Sequence, residues 1–145
     1  MRISQVLSTK PSSSVVTIRP DATVRDLVAQ LAAHNVGALI VSTGGTSVEG
    51  IVSERDVVRY LHANDATLDA PVSGIMTADV HTCTGEHDVN DLMQVMTTQR
   101  IRHVPVVDGD TLIGIISIGD VVKHRMSELQ FERDQLNSYV HSSQS

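Results

Sequence analysis

The sequence predicts an α/β (α+β) fold in which a strand–helix–strand–strand–helix unit occurs twice and a C-terminal helix follows. Two segments of the chain are near copies of one another, and each contains helix-like and strand-like apolar spacings in the same order. The 145 residues are 41% hydrophobic but only 2% aromatic. Aliphatic side chains must therefore fill the core.

The repeat is clearest in GIVSERDVV, residues 50–58, and GIISIGDVV, residues 114–122, which are related by a shift of 64 residues. Upstream, a shift of 65 residues aligns Val15, Thr17, Val24, Asp26, Leu27 and Val41 with Val80, Thr82, Val89, Asp91, Leu92 and Val106. One copy of about 45 residues would bury little apolar surface alone, so the copies are expected to pack about a pseudo-twofold axis. We assign residues 1–66 to the first repeat with its lead-in, 67–125 to the second repeat, and 126–145 to the C-terminal helix and tail.

Apolar residues three and four positions apart predict the first helix of each repeat. Thr23 is the expected N-cap of this helix in the first copy, and Asp26 at the third helical position completes a capping box. Asp88 precedes the matching helix of the second copy. The two apolar stripes contain Val24, Leu27, Val28 and Leu31, and Val89, Leu92, Val95 and Met96.

Two short β-branched runs follow each of these helices and predict a strand hairpin. The runs are ALIVS and VEGIVS in the first copy, and HVPVVD and LIGIIS in the second. Glycine-containing turns, TGGTS and DGD, separate them, as hairpins require. A second helix is predicted at RDVVRYLHA and at GDVVKHRM.

The repeated motif G-h-h-S-x-x-D, where h is apolar, places a serine and an aspartate at the start of each second helix. These residues are Ser53 and Asp56 in the first copy, and Ser117 and Asp120 in the second. A helix N-terminus attracts anions such as phosphate, and a carboxylate there can accept hydrogen bonds from vicinal hydroxyls. Helix capping alone would also explain both residues.

The net charge, the cysteine content and the lack of long apolar runs argue against several classes of protein. A formal net charge of −6 argues against nucleic acid or an anionic membrane surface. The single cysteine, Cys83, excludes an internal disulfide, and no apolar run approaches the length of a membrane span. MRISQVLSTK lacks the apolar stretch of a secretory signal. We therefore expect a soluble, cytoplasmic protein.

Cys83 has His81 two residues before it and His87 four residues after it, which raises a thiol nucleophile or a zinc site as alternatives. Two or three loosely spaced ligands do not make a closed tetrahedral set. No G-x-S-x-G, H-E-x-x-H or P-loop motif is present, and a binding cleft with only Ser and Asp lacks a base to activate the serine. We expect neither a metal site nor catalysis.

Taken together in two ordered copies, the motifs resemble a CBS domain pair, or Bateman module. The resemblance covers about residues 3–125 and rests on IVSERDVVR, IMTADV, RIRHVPVVD and LIGIISIGDVV. The tail LQFERDQLNSYVH resembles the C-terminal helix of stand-alone bacterial and organellar CBS-pair proteins.

The resemblance implies two clefts that bind an adenosyl ligand, in which the motif Asp holds the ribose hydroxyls and the motif Ser assists. One site would contain Ser117, Asp120, Arg102 and His103, with backbone near Val16, Thr17, Val36 and Gly37. Its partner would contain Ser53, Asp56, Gly37 and Ala38, with backbone near His81, Thr82, Ile101 and Arg102. Arg55 stands inside the first motif where the second has Gly119.

Arg102 and Arg55 suit phosphate recognition, because the guanidinium group donates several directed hydrogen bonds. A solvated surface role is the alternative for both arginines, and a half-buried strand histidine is the alternative for His103. The function implied is a non-catalytic energy sensor that binds AMP, ADP, ATP or NAD(H) and regulates an unknown protein. A ligand-free structural or interaction module is the alternative.

A homodimer is also expected, because the resemblance implies association through the helices of both repeats. Val58, Leu61 and Val122 are the apolar positions that a second chain could cover. In the tail, Leu129, Leu136 and Val140 lie on one helical face with Met126 and Arg133 close to it. The alternative is that this helix folds back on its own module.

Overall fold

The computed structural model describes residues 1–10 and 15–143, which contain five α-helices and five β-strands, and the predicted helices and hairpins of both repeats are among them. The first helix, which precedes the first repeat, was not predicted from the sequence. The PSSS segment of residues 11–14, an insertion in the first repeat, and residues 144–145 of the predicted tail lie outside the described residues. The helices are α1 Ile3–Thr9, α2 Val24–His34, α3 Glu54–Ala63, α4 Val89–Gln99 and α5 Ile118–Ser143. The strands are β1 Thr17–Ile18, β2 Ala38–Val41, β3 Gly50–Ser53, β4 His103–Asp108 and β5 Thr111–Ser117. Short 3-10 helices at Asp65–Asp69 and Val72–Gly74 connect the repeats.

The first repeat forms the predicted strand–helix–strand–strand–helix unit. Its sheet has the order β1-β2-β3, with β1 parallel to β2 and β2 antiparallel to β3. The α2 helix begins with the predicted capping box, in which the Asp26 backbone N–H donates to Thr23 Oγ1 at 3.1 Å. Local sequence signals therefore define the helix start and the hairpin correctly.

The second repeat departs from the prediction at its first strand. Strands β4 and β5 form a two-stranded antiparallel sheet, and the expected first strand is reduced to a single parallel bridge between Cys83 and Val106. In the first repeat the equivalent ladder continues to a Thr17–Ile40 pair. A second residue pair in the parallel ladder of the second repeat would require a backbone N–H at Pro105, which proline lacks. The ladder consequently stops after one residue.

The described residues form two hydrophobic cores, one for each repeat, and both are built almost entirely from aliphatic side chains. The first-repeat core contains Ile18, Val24, Leu27, Leu31, Leu39, Val41, Val52, Val57, Val72 and Ile75. The second-repeat core contains Ile3, Val6, Cys83, Val89, Leu92, Met96, Val104, Val106, Ile116 and Val121. Burial of these side chains supplies the main driving force for folding.

The segment before each repeat packs into the other repeat. Ile3 and Val6 of α1 belong to the second core, whereas Val72 and Ile75, from the segment before the second repeat, belong to the first. The exchange is fixed by backbone hydrogen bonds: the Val89 N–H donates to Met1 O, and the Val24 N–H donates to Ala70 O, both at 2.9 Å. The two repeats are therefore joined by the chain itself and by the packing of each lead-in segment into the core of the other repeat.

This exchange explains the glycine of the repeated motif. A β-carbon on Gly50 would lie 2.6 Å from Met76 Sδ and 3.0 Å from the Thr77 carbonyl oxygen. A β-carbon on Gly114 would lie 2.7 Å from Leu7 Cδ2. In both copies, glycine admits the close approach of the segment that crosses from the other repeat.

Helix α5 is continuous over 26 residues, so the second-repeat helix and the predicted C-terminal helix are one element. The boundary that the sequence suggests between residues 125 and 126 lies inside it. Beyond residue 128, every residue with a described side chain is exposed, through residue 142. Across residues 1–10 and 15–143, no helix has both the length and the apolar character that crossing a bilayer demands.

Replacing Gly50 with alanine tests the crossing contact. We expect Gly50→Ala to lower the free energy of unfolding by about 1–3 kcal/mol, because the added methyl group overpacks a filled site. Urea unfolding followed by circular dichroism measures it. Gly74→Ala is the matched control, since no atom lies within 4 Å of its added β-carbon. Equal stability of the two variants would contradict the proposed steric role of Gly50.

Candidate functional site

Both copies of the repeated motif form a capping box at the start of a helix. The Ser53 N–H donates to Asp56 Oδ2 at 2.8 Å, and the Asp56 N–H donates to Ser53 Oγ at 3.3 Å. In the second copy, the Ser117 N–H donates to Asp120 Oδ2 at 2.9 Å, and the Asp120 N–H donates to Ser117 Oγ at 3.1 Å. The capping interpretation therefore holds at both helices.

Capping does not use up either carboxylate. All hydrogen bonds that residues 1–10 and 15–143 donate to Asp56 and Asp120 go to Oδ2, so Oδ1 of each group accepts none from these residues. An ionised carboxylate offers about four acceptor positions on its two oxygens. Each motif carboxylate can thus cap its helix and accept a ligand hydroxyl at the same time.

A cleft of about 660 Å³ lies against the first motif and is formed by both repeats. It brings together Gly37, Ala38, Ser53, Arg55 and Asp56 of the first repeat with His81, Ile101, Arg102 and His103 of the second. Of the residues predicted for this site, Thr82 alone is absent from the lining. The cleft is also lined by Ile51, Glu54, Val58, Arg59, Thr77, Asp79, Val80, Gln99 and Arg100. Its volume is within the usual range of small-molecule sites.

His103 is predicted at the site of Ser117 and Asp120 and is not expected at the Ser53 cleft. Its ring also lines the Ser53 cleft, where a β-carbon on Gly37 would lie 3.8 Å from His103 Cε1 and 3.6 Å from Glu54 Oε1. Burial lowers the pKa of His103; Arg102 lowers it further, and these effects outweigh the opposing influence of Asp120 and Glu54. The imidazole is consequently neutral at pH 7 and can accept as well as donate a hydrogen bond.

The second motif has a cationic neighbour that sequence reasoning missed. Lys10 Nζ donates to Asp120 Oδ2 at 3.0 Å and to the Ile115 carbonyl oxygen at 2.8 Å. Burial raises the pKa of Asp120, but hydrogen bonds from the Ser117 backbone and from Lys10 outweigh it, and the pKa lies below its ordinary value. No repeat signal identifies Lys10, because it precedes the first aligned pair of residues.

Three other residues predicted for the second site, Val16, Thr17 and Val36, do not line the Ser53 cleft. Val16 and Thr17 are half-buried near the start of β1, and Val36 is exposed between α2 and β2. Gly37 contributes to the Ser53 cleft.

The Cys83 thiol is buried, with 3% of its surface exposed, and burial raises its pKa to about 11. It therefore remains protonated at neutral pH, and the thiolate needed for nucleophilic attack is not formed. Nearby, His87 Nδ1 accepts a hydrogen bond from the Thr84 N–H at 3.0 Å, and His81 lines the cleft. Among the described residues, no three His, Cys, Asp or Glu side chains are grouped as metal ligands.

Comparison with protein families identifies the repeats. The family model described as CBS domain matches residues 3–63 and again residues 72–127. The chain belongs to the CBS domain family. The two-copy organisation predicted from the sequence agrees with these two matches, and CBS domains are generally regulatory and non-catalytic.

Similar proteins are themselves CBS proteins. The chain is 38% identical over 146 residues to a mitochondrial CBS domain-containing protein of Arabidopsis thaliana, covering 95% of this chain and 71% of the relative. The crystal structure of a CBS-domain containing protein from Agrobacterium tumefaciens has 40% identity and a TM-score of 0.82, over 86% of this chain and 99% of that one. A CBS domain protein of Pyrobaculum aerophilum, solved in complex with AMP, has 30% identity and a TM-score of 0.72, over 83% and 89% of the two chains.

The Lys10–Asp120 pair gives a prediction that depends on pH. We expect Lys10→Met to raise the pKa of Asp120, measured by NMR titration of the carboxyl group, and to lower the free energy of unfolding at pH 7 by about 1 kcal/mol. Because the folded-state pKa of Asp120 is depressed, this stabilisation is full above the ordinary aspartate pKa of about 3.9 and is lost as the pH falls through the folded value.

The matched control is Lys123→Met, since Lys123 has no carboxylate within 4.0 Å among the described residues. The difference in the free energy of unfolding between Lys10→Met and Lys123→Met should therefore be smaller at pH 2 than at pH 7. A difference that is the same at pH 7 and at pH 2 would show that Lys10 acts through packing and not through its charge.

Proposed function

We propose that this protein is a non-catalytic regulatory CBS pair that binds an adenine nucleotide in the cleft beside Ser53 and Asp56. The observation that carries the proposal is that cleft, in which a motif carboxylate and several guanidinium groups from both repeats surround one volume. The AMP complex of the Pyrobaculum aerophilum relative, at 30% identity, supports an adenosine-type ligand. AMP, ADP, ATP and NAD(H) all share that chemistry.

In the proposed complex, Asp56 accepts hydrogen bonds from the ribose hydroxyls through Oδ1 while Oδ2 continues to cap α3. Arg55 and Arg102 donate to phosphate, for which the guanidinium group is well suited. The neutral His103 and the backbone near Ala38 and Ile101 contact the base or the ribose. The ligand thus connects the two repeats, so its binding changes how firmly they hold together.

The second motif forms a different and weaker site in this proposal. Lys10 already occupies one side of the Asp120 carboxylate, at 3.0 Å from Oδ2. A ligand must either leave this ion pair intact and use Oδ1, or place a phosphate against Lys10. In both cases the two sites of one chain have unequal affinity.

The proposed output is regulation of another protein through a change in shape or assembly, in the manner of an energy sensor. The protonated Cys83 thiol and the capping role of Ser53 and Ser117 leave these residues without an activated nucleophile, which supports a binding role over catalysis. The cytoplasmic location stays a prediction, since one relative is named mitochondrial and others are bacterial or archaeal.

We further propose a homodimer, which would also serve the alternative function of a ligand-free interaction module. The motif of each repeat ends in two valines, of which the first is buried and the second is exposed. The exposed fraction is 66% for Val58 and 46% for Val122. Further along α5, Met126, Leu129 and Leu136 are exposed on the predicted face. A second copy of the chain would cover equivalent surfaces on both repeats, as the pseudo-twofold relation requires.

A substitution at Asp56 tests ligand binding apart from helix capping. We expect Asp56→Asn to weaken AMP binding by about tenfold or more in calorimetry, because hydrogen bonds to a charged acceptor are lost. Asp26→Asn is the matched control: Asp26 occupies the same position in the capping box of α2 and does not line the cleft. Both variants should lose similar stability.

If Asp56→Asn and Asp26→Asn bound AMP equally well, the proposed ribose contact would be wrong. Absence of any nucleotide binding by the wild-type protein, together with a stable dimer, would instead favour the ligand-free interaction module. Thermal shift with AMP, ADP, ATP and NAD(H) separates these outcomes, since a ligand that binds the folded state raises its melting temperature.

The dimer is tested by light scattering at micromolar concentration. We expect a dimeric wild-type protein and a monomeric Val58→Asp/Val122→Asp variant, because two buried carboxylates would have no partners in the interface. Ile113→Asp is the control, since Ile113 is 43% exposed but lies on β5. A monomeric wild-type protein would refute the dimer, and an unchanged dimer in a chain ending at Lys123 would refute the contribution of the C-terminal part of α5.

A further inference from the structure

The arginines divide into two groups according to their partners. Of the nine in the chain, five have a carboxylate oxygen within 4.0 Å: they are Arg2, Arg19, Arg25, Arg125 and Arg133. The other four are Arg55, Arg59, Arg100 and Arg102, whose guanidinium groups neither pair with a carboxylate nor donate a hydrogen bond to any residue in 1–10 or 15–143. All four line the Ser53 cleft.

No carboxylate that lines this cleft forms an ion pair with these arginines. Asp56 is engaged by Ser53, and neither Glu54 nor Asp79 lies within ion-pair distance of an arginine in the described part of the chain. The chain as a whole carries a formal charge of −6, yet four arginines line one cavity. Because these guanidinium groups have no ion-pair partner among the described residues, they are available to an anion that enters the cleft.

The cationic set is specific to one of the two pseudo-equivalent sites. The residues that align with Arg100 and Arg102 in the first repeat are Asn35 and Gly37, and Gly119 aligns with Arg55. Only Arg59 has a cationic counterpart, Lys123. The architecture of the repeat therefore does not require these guanidinium groups, since the other copy folds with neutral residues at three of the four positions.

The backbone at Arg100 gives a second, independent indication. Arg100 ends α4 in the left-handed conformation with φ of 57°, and Asn35 ends α2 in the same way with φ of 52°. Asparagine and glycine are the residues that tolerate this conformation best. An arginine at this position accepts backbone strain, which is typical of residues held for a function.

We propose that the ligand of the Ser53 cleft is an adenine nucleotide with two or more consecutive phosphates, and that Arg100 determines this specificity. The proposal rests on the proposed function of the cleft. Arg55 and Arg59 lie one turn apart on α3, whereas Arg100 and Arg102 lie on either side of Ile101 before β4. A single phosphate can pair with one or two guanidinium groups at hydrogen-bond distance, and a polyphosphate can reach cations contributed by both repeats.

The decisive variant is Arg100→Asn, which gives the second repeat the residue that ends α2 in the first. Calorimetry at one fixed salt concentration measures AMP, ADP and ATP binding to the full chain, and inorganic tripolyphosphate is tested as a competitor of ATP. We expect the wild-type protein to bind ATP at least about tenfold more tightly than AMP. Arg100→Asn should lose most of that preference, with little change for AMP, while its melting temperature is unchanged or higher.

Arg25→Gln is the control for overall charge, since Arg25 is paired with Asp69 on the surface, away from the cleft. It should leave the preference for ATP intact. If AMP binds and ATP binds no more tightly, the polyphosphate proposal is overturned while the adenine-nucleotide function stands. A lower melting temperature in Arg100→Asn with an unchanged preference would show that Arg100 serves the fold. Failure of every nucleotide to bind would overturn the proposed function itself.

Discussion

The exchange of lead-in segments between the two repeats is the constraint on which the rest of the structure depends. Each core is completed by apolar side chains that precede the other repeat, such as Ile3 in the second core and Val72 in the first. Because of this exchange, neither repeat has a complete core without the other. The walls of the Ser53 cleft, which come from both repeats, are held in a defined relation as a result. A ligand there meets a preformed site, which reduces the ordering cost of binding.

The repeated serine and aspartate show how one motif serves folding and recognition together. Helix capping fixes Ser53, Asp56 and the start of α3 with hydrogen bonds that use one carboxylate oxygen. The remaining oxygen is then oriented by the cap and not by a flexible side chain. In this proposal, ligand binding therefore requires little backbone strain at the motif itself. The strained residue is Arg100, which has a left-handed backbone conformation although the fold does not require an arginine there.

The sequence was sufficient to predict both helices and the hairpin of each repeat, and the capping box of α2, because apolar spacing and local polar residues determine them. It did not predict helix α1. It did not predict the loss of the first strand in the second repeat, which follows from one missing N–H at Pro105. It also missed Lys10, whose contact with Asp120 spans 110 positions in the chain, and the involvement of His103 in the Ser53 cleft. Arg100 could have been found by comparing the repeats for unmatched cations, whereas Arg59 is matched by Lys123. The cavity that both arginines line depends on the packing of both repeats.

The most direct measurement of the central claim is a crystal structure of the full chain grown with ATP. We expect one nucleotide per chain in the Ser53 cleft, with ribose hydroxyls within hydrogen-bond distance of Asp56 Oδ1 and phosphates against the guanidinium groups of Arg55, Arg59, Arg100 and Arg102. The ion pair between Lys10 and Asp120 should be retained in that complex. A nucleotide bound beside Ser117 and Asp120, with the Ser53 cleft containing only water, would contradict the account.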